Sequence, residues 1–238
     1  MKVERMSIKK NIVITGGSSG IGRAIALEMA KNGHAIYIVS RSENKLEKVA
    51  KEIESAGGVA YFGCGDVANP DVVDALYNDI LEKMASVDVL VANAGVGYFG
   101  NLEDMEIWQF DEQMNTNVRG VFLWIRKVLP EMKQKNSGQI IVTSSNLGLK
   151  TSARTSIYSA TKHAVQAMVW CLREELRETQ VKAATINPGS VSTPWFDGKD
   201  VDRERMLSAT DIAKAARLII DQDKTSDIDH ILLLPAKN

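Results

Sequence analysis

The stretch Asn11-Ile-Val-Ile-Thr15-Gly16-Gly-Ser-Ser-Gly20-Ile-Gly22-Arg-Ala-Ile-Ala decides the fold, because an apolar strand pattern runs through a glycine-rich turn into a helical pattern. The strand is predicted over Asn11–Thr15 and the helix over residues 21–31. Glycine lets the backbone of such a turn approach a ligand closely, and the N-terminus of the following helix favours an anion. The stretch therefore predicts a strand, a phosphate-binding turn and a helix in succession.

The spacing of the glycines excludes two common types of phosphate-binding loop. The Walker pattern requires Lys and then Ser or Thr after its last glycine, whereas Arg23 and Ala24 follow Gly22. The G-x-G-x-x-G spacing is also absent. What remains is Thr15-Gly16-x-x-x-Gly20-x-Gly22, and on this loop alone a tight turn without a ligand stays an alternative.

Short apolar runs alternate with longer helical patterns along the rest of the chain. Each run is apolar at nearly every residue, which is typical of a parallel sheet covered by helices on both faces. We therefore predict an α/β fold with a single domain over residues 1–238, a Rossmann-type doubly wound parallel sheet of about seven strands. The further predicted strands are 35–39, 59–63, 87–92, 139–143, 181–186 and 230–234, and the further helices are 45–55, 71–85, a long region 102–135, 156–179 and 211–221.

Composition and charge argue against several function classes. The chain has 238 residues and a net charge of −1 with both signs interleaved, so no field favours nucleic acid or an anionic membrane. The start, residues 1–10, is charged and lacks a signal-peptide core, and no apolar run approaches the ~18 residues of a spanning helix. Cys64 and Cys171 are far apart, and three histidines are scattered. We expect a cytoplasmic protein without metal, disulfide, nucleic acid or membrane partners.

An arginine follows the second predicted strand. NAD-specific sites usually place an acidic residue there, about 20 residues past the first glycine, to bind the ribose 2′-hydroxyl. This chain has Ser40-Arg41 instead. Because a carboxylate repels a 2′-phosphate and a guanidinium binds one in a bidentate manner, Arg41 favours NADP(H) over NAD(H). A solvated loop cation is the alternative.

The pair in Tyr158-Ser-Ala-Thr-Lys162 is the candidate for proton transfer. Its i,i+4 spacing puts both side chains on one face of a predicted helix. An ammonium within ~4–6 Å favours the phenolate, and we expect it to lower the phenol pKa by ~1–3 units. Tyr158 would then protonate an alkoxide or remove its proton. An ordinary surface pair is the alternative.

Two polar residues upstream strengthen this interpretation. Ser145 follows the predicted strand 139–143, where its hydroxyl can polarise a substrate carbonyl, and Ser144 is the fallback candidate. Asn117 lies inside the long helical region, where asparagine has mediocre propensity. We therefore expect these side chains to share one edge of the sheet with Tyr158.

These motifs, in this order and over nearly the whole chain, resemble the short-chain dehydrogenase/reductase family, and 3-oxoacyl-thioester reductases within it. The resemblance adds Asp66-Val67 at the adenine, Asn93-Ala94-Gly95 after the fourth strand, and a nicotinamide clasp through Val191 and Thr193. It implies that Lys162 also bonds the nicotinamide ribose and that Asn117 holds a water in a proton relay. The implied catalytic residues are Asn117, Ser145, Tyr158 and Lys162; the implied cofactor contacts are Gly16, Ser18, Ser19, Gly20, Ile21, Gly22, Arg41, Asp66, Val67, Asn93, Ala94, Gly95, Tyr158, Lys162, Pro188, Gly189, Val191 and Thr193.

The substrate is less constrained than the cofactor. A short lid over about 194–208 argues against a bulky steroid and for a small or extended ketone. Aromatic and apolar residues of the lid and of two other loops either form a pocket or pack as ordinary core. They are Trp195 and Phe196, with Tyr98, Phe99 and Leu147 on the other wall.

The first hypothesis is an NADP-dependent oxidoreductase that reduces a ketone to a secondary alcohol, or the reverse. A 3-oxoacyl-[acyl-carrier-protein] or CoA reductase is an alternative, weakened because glutamates dilute the basic residues Arg173, Arg177 and Lys182. A non-catalytic dinucleotide sensor, or an isomerase or dehydratase, are alternatives of other classes. The resemblance implies a homodimer or homotetramer, in keeping with apolar residues on several faces of 117–135 and 156–179: Val121, Phe122, Trp124, Val165, Met168, Val169 and Trp170.

Overall fold

The computed structural model describes residues 9–236. The expectation drawn from the charged start of the chain, residues 1–10, falls mostly outside the described residues. Both ends of the predicted domain 1–238 also lie outside them. The strands are β1 Asn11–Thr15, β2 Ala35–Ser40, β3 Val59–Cys64, β4 Val89–Ala92, β5 Gly138–Thr143, β6 Val181–Pro188, β7 Val191–Ser192, β8 Leu207–Ser208 and β9 His230–Leu233. The α-helices are α1 Gly20–Ala30, α2 Glu43–Ser55, α3 Pro70–Met84, α4 Ile107–Met114, α5 Gly120–Lys135, α6 Ser156–Glu175 and α7 Ala209–Ile220.

Seven parallel strands form the main sheet in the order β3-β2-β1-β4-β5-β6-β9. This confirms the predicted Rossmann-type fold. After β3 the chain crosses back to add β4 beside β1, so the direction of winding reverses between these two strands. Ligands of doubly wound sheets bind at this switch point, outside the carboxyl ends of the strands.

Each strand buries both of its faces, which explains why the strand sequences are apolar at nearly every residue. In β1, Ile12 and Ile14 pack with α1, α2 and α7, whereas Val13 faces the core formed with α3, α5 and α6. Because successive side chains of a strand point to opposite sides, one apolar run supplies two cores. These cores hold the strand ends, and therefore the loops that follow them, in a rigid frame.

The predicted long helix 102–135 is not continuous. A 3₁₀ turn at Leu102–Asp104 precedes α4, and a π-helical turn at Asn115–Arg119 separates α4 from α5. The π turn contains Asn-Thr-Asn, residues of mediocre helix propensity, and such turns occur frequently at functional sites. The predicted helix 156–179 ends four residues early, at Glu175, because Thr179 turns back to donate both its N–H and its hydroxyl to Leu176 O, each at 2.8 Å.

A two-stranded parallel ladder, not predicted from the sequence, joins β7 to β8. The Leu207 N–H extends it by donating to Ser190 O at 3.0 Å. The ladder brings together the two ends of the lid segment predicted over 194–208, so that segment leaves and re-enters the fold at one point. Within residues 9–236, no helix is long and apolar enough to cross a membrane.

Candidate active site

A cavity of about 770 Å³ lies at the carboxyl ends of the strands. The loops after β1, β2, β3, β4, β5 and β6 contribute to its wall, so it spans the switch point of the sheet. Of the predicted cofactor residues, all except Gly22 line it: Gly16, Ser18, Ser19, Gly20, Ile21, Arg41, Asp66, Val67, Asn93, Ala94, Gly95, Tyr158, Lys162, Pro188, Gly189, Val191 and Thr193. Residues that are far apart in the chain therefore meet in one place.

The glycine-rich turn can accept an anion. Gly16 and Gly20 have φ of 67° and 53°, in the left-handed region that favours glycine. Ser19 occupies the N-cap of α1 without a side-chain cap, and the first turn of this helix contains no acidic residue. The first N–H groups of α1 and its dipole are thus available at the cavity wall.

Gly22 serves packing within the turn. A Cβ at this position would lie 2.4 Å from the carbonyl oxygen of Gly16. A side chain would therefore push the first turn of α1 away from the loop. Gly22 keeps the loop compact without reaching the cavity.

Asn93 joins the loops on the two sides of the switch point. Its side-chain amide donates to Thr15 O at 3.0 Å, and the Asn93 and Ala94 N–H groups donate to the Thr15 hydroxyl at 2.9 and 3.1 Å. These bonds tie the end of β4 to the end of β1. Asn93 therefore positions the glycine-rich turn as well as lining the cavity.

The far end of the cavity, after β2, is cationic. Arg41 lies there with Ser40, Ser42 and Lys45. The Arg41 guanidinium donates to the Glu112 carboxylate at 3.3 Å, with 64% of its side chain exposed. Lys45 and Ser42 were not predicted, although their position in the same strand-end loop as Arg41 was a usable signal.

The buried Asn117 braces the loop after β4. Its side-chain oxygen accepts from the Val96 N–H at 2.8 Å, and its amide donates to Val96 O at 2.8 Å and to the Thr161 hydroxyl at 3.1 Å. These bonds use both amide hydrogens and one oxygen lone pair. The π turn aims the side chain inward, so its contacts are those of a residue that holds the backbone in place.

Ser145 and Ser144 have different environments. The Ser145 hydroxyl donates to Asn146 Oδ1 at 3.1 Å, accepts from the Leu147 N–H at 3.1 Å and so caps the 3₁₀ turn Asn146–Gly148. It also lies close enough to Tyr158 to oppose the rise in the pKa of the phenol. The Ser144 hydroxyl instead donates to Lys162 O at 3.3 Å. Ser145 is therefore the serine placed beside the tyrosine.

Tyr158 and Lys162 lie on one face of α6, with the ammonium 5.7 Å from the centroid of the phenol ring. Lys162 is buried and donates to Thr143 O at 2.9 Å. Burial lowers the pKa of Lys162 to about 8. Burial raises the pKa of Tyr158 to about 12, and the Ser145 hydrogen bond opposes this. The direction for Tyr158 is opposite to the sequence-based expectation, because loss of hydration disfavours the phenolate.

Aromatic residues form the wall around Tyr158. The ring centroids of Phe99 and Trp195 lie 5.3 and 6.0 Å from that of Tyr158. Phe196 and Leu147 line the same cavity. Tyr98, expected beside them, points away, since its hydroxyl donates to Glu112 at 2.5 Å and its ring packs edge-on to Trp108.

A comparison with protein-family models identifies the family of this chain, because one model matches most of its length. The family model described as short chain dehydrogenase matches residues 10–204. The chain belongs to the short-chain dehydrogenase family. As a member of that family it is an oxidoreductase that acts on small molecules, as expected from its motifs.

Several proteins are similar to this short-chain dehydrogenase over nearly its full length. An uncharacterized oxidoreductase of Staphylococcus epidermidis is 30% identical over 227 residues, covering 95% of this chain and 97% of its own. An alcohol dehydrogenase of the archaeon Thermococcus sibiricus, solved with 5-hydroxy-NADP, is 31% identical with a TM-score of 0.88 and covers 95% and 96% of the two chains. A 3-ketoacyl-(acyl-carrier-protein) reductase of Brucella melitensis, solved with NADH, is 30% identical with a TM-score of 0.87, covering 94% and 96%.

Proposed function

We propose that this protein is an NADP(H)-dependent oxidoreductase that reduces a ketone to a secondary alcohol, or catalyses the reverse, with Tyr158 as acid and base. The observation that carries the proposal is the position of Ser145, Tyr158 and Lys162 at one end of a cavity whose other end holds the uncapped helix α1 and Arg41. An anion-binding turn and a proton-transfer group thus face the same cavity.

The residues present fit a nicotinamide dinucleotide. The uncapped N-terminus of α1 and the turn at Gly16 and Gly20 would hold its pyrophosphate. Asp66 and Val67 would lie at the adenine, and Val191 and Thr193 at the nicotinamide. When bound, the cofactor supplies or accepts a hydride.

The reacting carbonyl would be held by two hydroxyl groups. The hydroxyls of Ser145 and Tyr158 both line this part of the cavity, so a carbonyl oxygen placed between them would receive a donor from each. Because burial raises its pKa to about 12, the phenol of Tyr158 holds its proton at neutral pH and can deliver it to the developing alkoxide. The Lys162 ammonium, 5.7 Å from the ring centroid, stabilises the phenolate that results.

Asn117 contributes through position. Its three hydrogen bonds hold Val96, which lines the cavity, and join this loop to Thr161 on α6 beside Lys162. One lone pair of its side-chain oxygen remains for a water of the proton relay that the resemblance implies. We propose that the main role of Asn117 is to hold the wall of the cavity in place.

The preference for NADP(H) rests on charge. Arg41 and Lys45 line the cavity where an NAD-specific site would have a carboxylate. The Thermococcus sibiricus protein was solved with an NADP derivative and the Brucella melitensis protein with NADH, so both cofactors occur on this fold. The two cations favour the cofactor with the additional phosphate.

A 3-oxoacyl-thioester reductase is the second candidate, and the likeness to the Brucella melitensis reductase favours it. A dinucleotide sensor without chemistry is disfavoured because the serine, the tyrosine and the lysine converge. A cytoplasmic location suits two exposed free cysteines, Cys64 and Cys171.

We propose that the protein forms a homodimer or homotetramer, although fewer exposed apolar residues support this than the sequence pattern suggested. Val121, Trp124, Val165 and Val169 are buried in the chain's own core. Phe122 on α5 and Trp170 on α6 remain 48% and 45% exposed. Large exposed apolar side chains such as these favour association, and light scattering on the Trp170→Glu variant tests it.

The direct test is cofactor oxidation with a panel of ketones, 3-oxo acids and 3-oxoacyl thioesters. We expect faster oxidation of NADPH than of NADH, together with formation of the corresponding alcohol. Tight binding of NADPH without turnover of any carbonyl would favour the sensor.

A further inference from the structure

Lys199 lies over three aromatic rings at the mouth of the cavity. Its ammonium is 5.6 Å from the ring centroid of Phe99, 5.9 Å from that of Trp195 and 5.4 Å from that of Phe196. All three rings line the cavity, whereas Lys199 stands on their outer side and is exposed. The ammonium therefore marks the point where a substrate would leave the apolar part of the site.

A tight turn of the lid places this ammonium. Gly198 has a φ of 73°, and the Lys199 N–H donates to Phe196 O at 3.1 Å. The left-handed residue folds the chain back so that Lys199 faces the ring of Phe196. The lysine is thus placed by backbone geometry as well as by attraction to the ring faces.

The charge of Lys199 is not neutralised by a carboxylate in the described part of the chain. Within residues 9–236 no ion pair includes it, while the nearby Asp197 is bound by Arg203 at 2.8 Å. The Lys199 ammonium is therefore available to bind an anionic group of a substrate.

The same rings separate the ammonium from the proton donor. Phe99 and Trp195 each contact both the ring of Tyr158 and the ammonium of Lys199. A substrate whose carbonyl lies at Tyr158 would pass along one layer of rings before meeting the ammonium. This arrangement suits a carbonyl group at one end of an apolar segment and a negative charge at the other end.

We propose that the substrates of this enzyme are carbonyl compounds that carry an anionic group beyond an apolar segment, and that Lys199 binds this group. The inference rests on the proposed carbonyl reduction and adds a substrate class to it. The anion is either the carboxylate of a keto acid or a phosphate of a thioester carrier. Both are bound by the same ammonium, and the experiment separates them.

The test compares matched charged and neutral substrates with the wild type and three variants. The carboxylate arm uses 4-oxo-4-phenylbutanoate and its methyl ester, and the phosphate arm uses acetoacetyl-CoA and the neutral acetoacetyl thioester of N-acetylcysteamine. Lys199→Met keeps an apolar stem without the charge, and Lys199→Arg keeps the charge. Lys133→Met, at an exposed lysine in the last turn of α5 near the amino end of β5, is the matched control for net charge.

In at least one arm, we expect Lys199→Met to lower the charged-to-neutral ratio of kcat/KM by about three- to tenfold, and Lys199→Arg and Lys133→Met to leave it unchanged. The wild-type ratio should also fall as salt is added. The arm that responds identifies the anion. An unchanged ratio in both arms, or equal losses for charged and neutral substrates, would overturn the proposal.

A binding measurement separates this inference from the reductase proposal. Quenching of tryptophan fluorescence reports binding of 4-phenylbutyrate, 4-phenylbutanol and 4-phenylbutylamine, with Trp195 in the wall. We expect the acid to bind most tightly in the wild type and to lose that advantage in Lys199→Met. Tighter binding of the amine would mean that the rings select cations and would overturn the inference. Failure to reduce even the neutral ketones would count against the reductase alone.

Discussion

Trp195 packs edge-on to Tyr158, with ring centroids 6.0 Å apart and an interplanar angle of 63°. The contact joins the lid to the tyrosine at the inner end of the cavity. Gly97 makes room for it, because a Cβ there would lie 2.5 Å from Trp195 Cζ2 and 3.0 Å from Tyr158 Cδ2. The position of the lid therefore depends on a glycine in the loop after β4.

Gly97→Ala should displace Trp195 and disturb Tyr158. We expect kcat/KM for a ketone to fall about tenfold or more, because a small misplacement of reacting groups is costly. NADPH affinity should change little. Gly100→Ala is the matched control, since its Cβ would meet only Met105 Sδ, at 3.5 Å. Equal activities for the two variants would show that the contact between lid and tyrosine has no role in turnover.

Glu112 should reduce the preference for NADP(H). Its carboxylate accepts from Arg41 at 3.3 Å, and a negative charge there opposes a 2′-phosphate. We expect Glu112→Gln to tighten NADP⁺ binding by about two- to fivefold without changing NAD⁺ binding, a small effect because Arg41 is exposed. Fluorescence titration of both cofactors measures this.

The double variant tests whether the effect passes through Arg41. In an Arg41→Met background, Glu112→Gln should have a smaller effect on NADP⁺ binding than in the wild type. Equal effects in both backgrounds would show that Glu112 acts independently of the guanidinium.

The pH dependence of carbonyl reduction should reflect Lys162. Burial lowers its pKa to about 8, whereas the pKa of Tyr158 is raised to about 12. As pH rises, the ammonium therefore loses its proton first, and the positive charge that stabilises the phenolate disappears. We expect kcat/KM for reduction to fall above about pH 8, and Lys162→Arg to move this decline to higher pH. An unchanged profile in the arginine variant would exclude Lys162 as its source.

Asn117→Ala should destabilise the fold as well as slow the reaction. It leaves the N–H and C=O of Val96, which form partly buried hydrogen bonds, without their partner, and an unsatisfied group that water cannot reach costs about 1–3 kcal/mol. Urea unfolding should show this loss, and Asn101→Ala, at an exposed asparagine, should not. A fully stable Asn117→Ala protein with reduced turnover would instead favour a direct role in the proton relay.

The sheet could be predicted from the sequence because its two buried faces leave a continuous apolar signal, as in Ile12, Val13 and Ile14. The strand-end rule then located most of the cavity wall. The ladder between β7 and β8 could not be predicted, since two-residue strands carry no periodicity. The π turn around Asn117 was also missed, because local propensity does not reveal an inward side chain that is held by Val96.

The pKa values of the site residues depend on how deeply each side chain is buried, and a sequence motif does not reveal this. The spacing of Tyr158 and Lys162 correctly predicted their proximity, but burial, which the spacing does not reveal, raises the pKa of the phenol. Gly22 matches a motif position, yet it packs on Gly16 O instead of lining the cavity. Lys199 gave no sequence signal, because only the turn at Gly198 brings it over the rings.

The central claim is that Tyr158 transfers the proton, and the Tyr158→Phe variant tests it most directly. This change removes the hydroxyl and keeps a ring against Phe99 and Trp195. With a ketone that the wild type reduces, we expect unchanged NADPH binding and a fall in kcat of about 10²–10⁴-fold, while Tyr61→Phe on β3 stays fully active. A Tyr158→Phe protein that binds NADPH normally and retains full turnover would contradict the account.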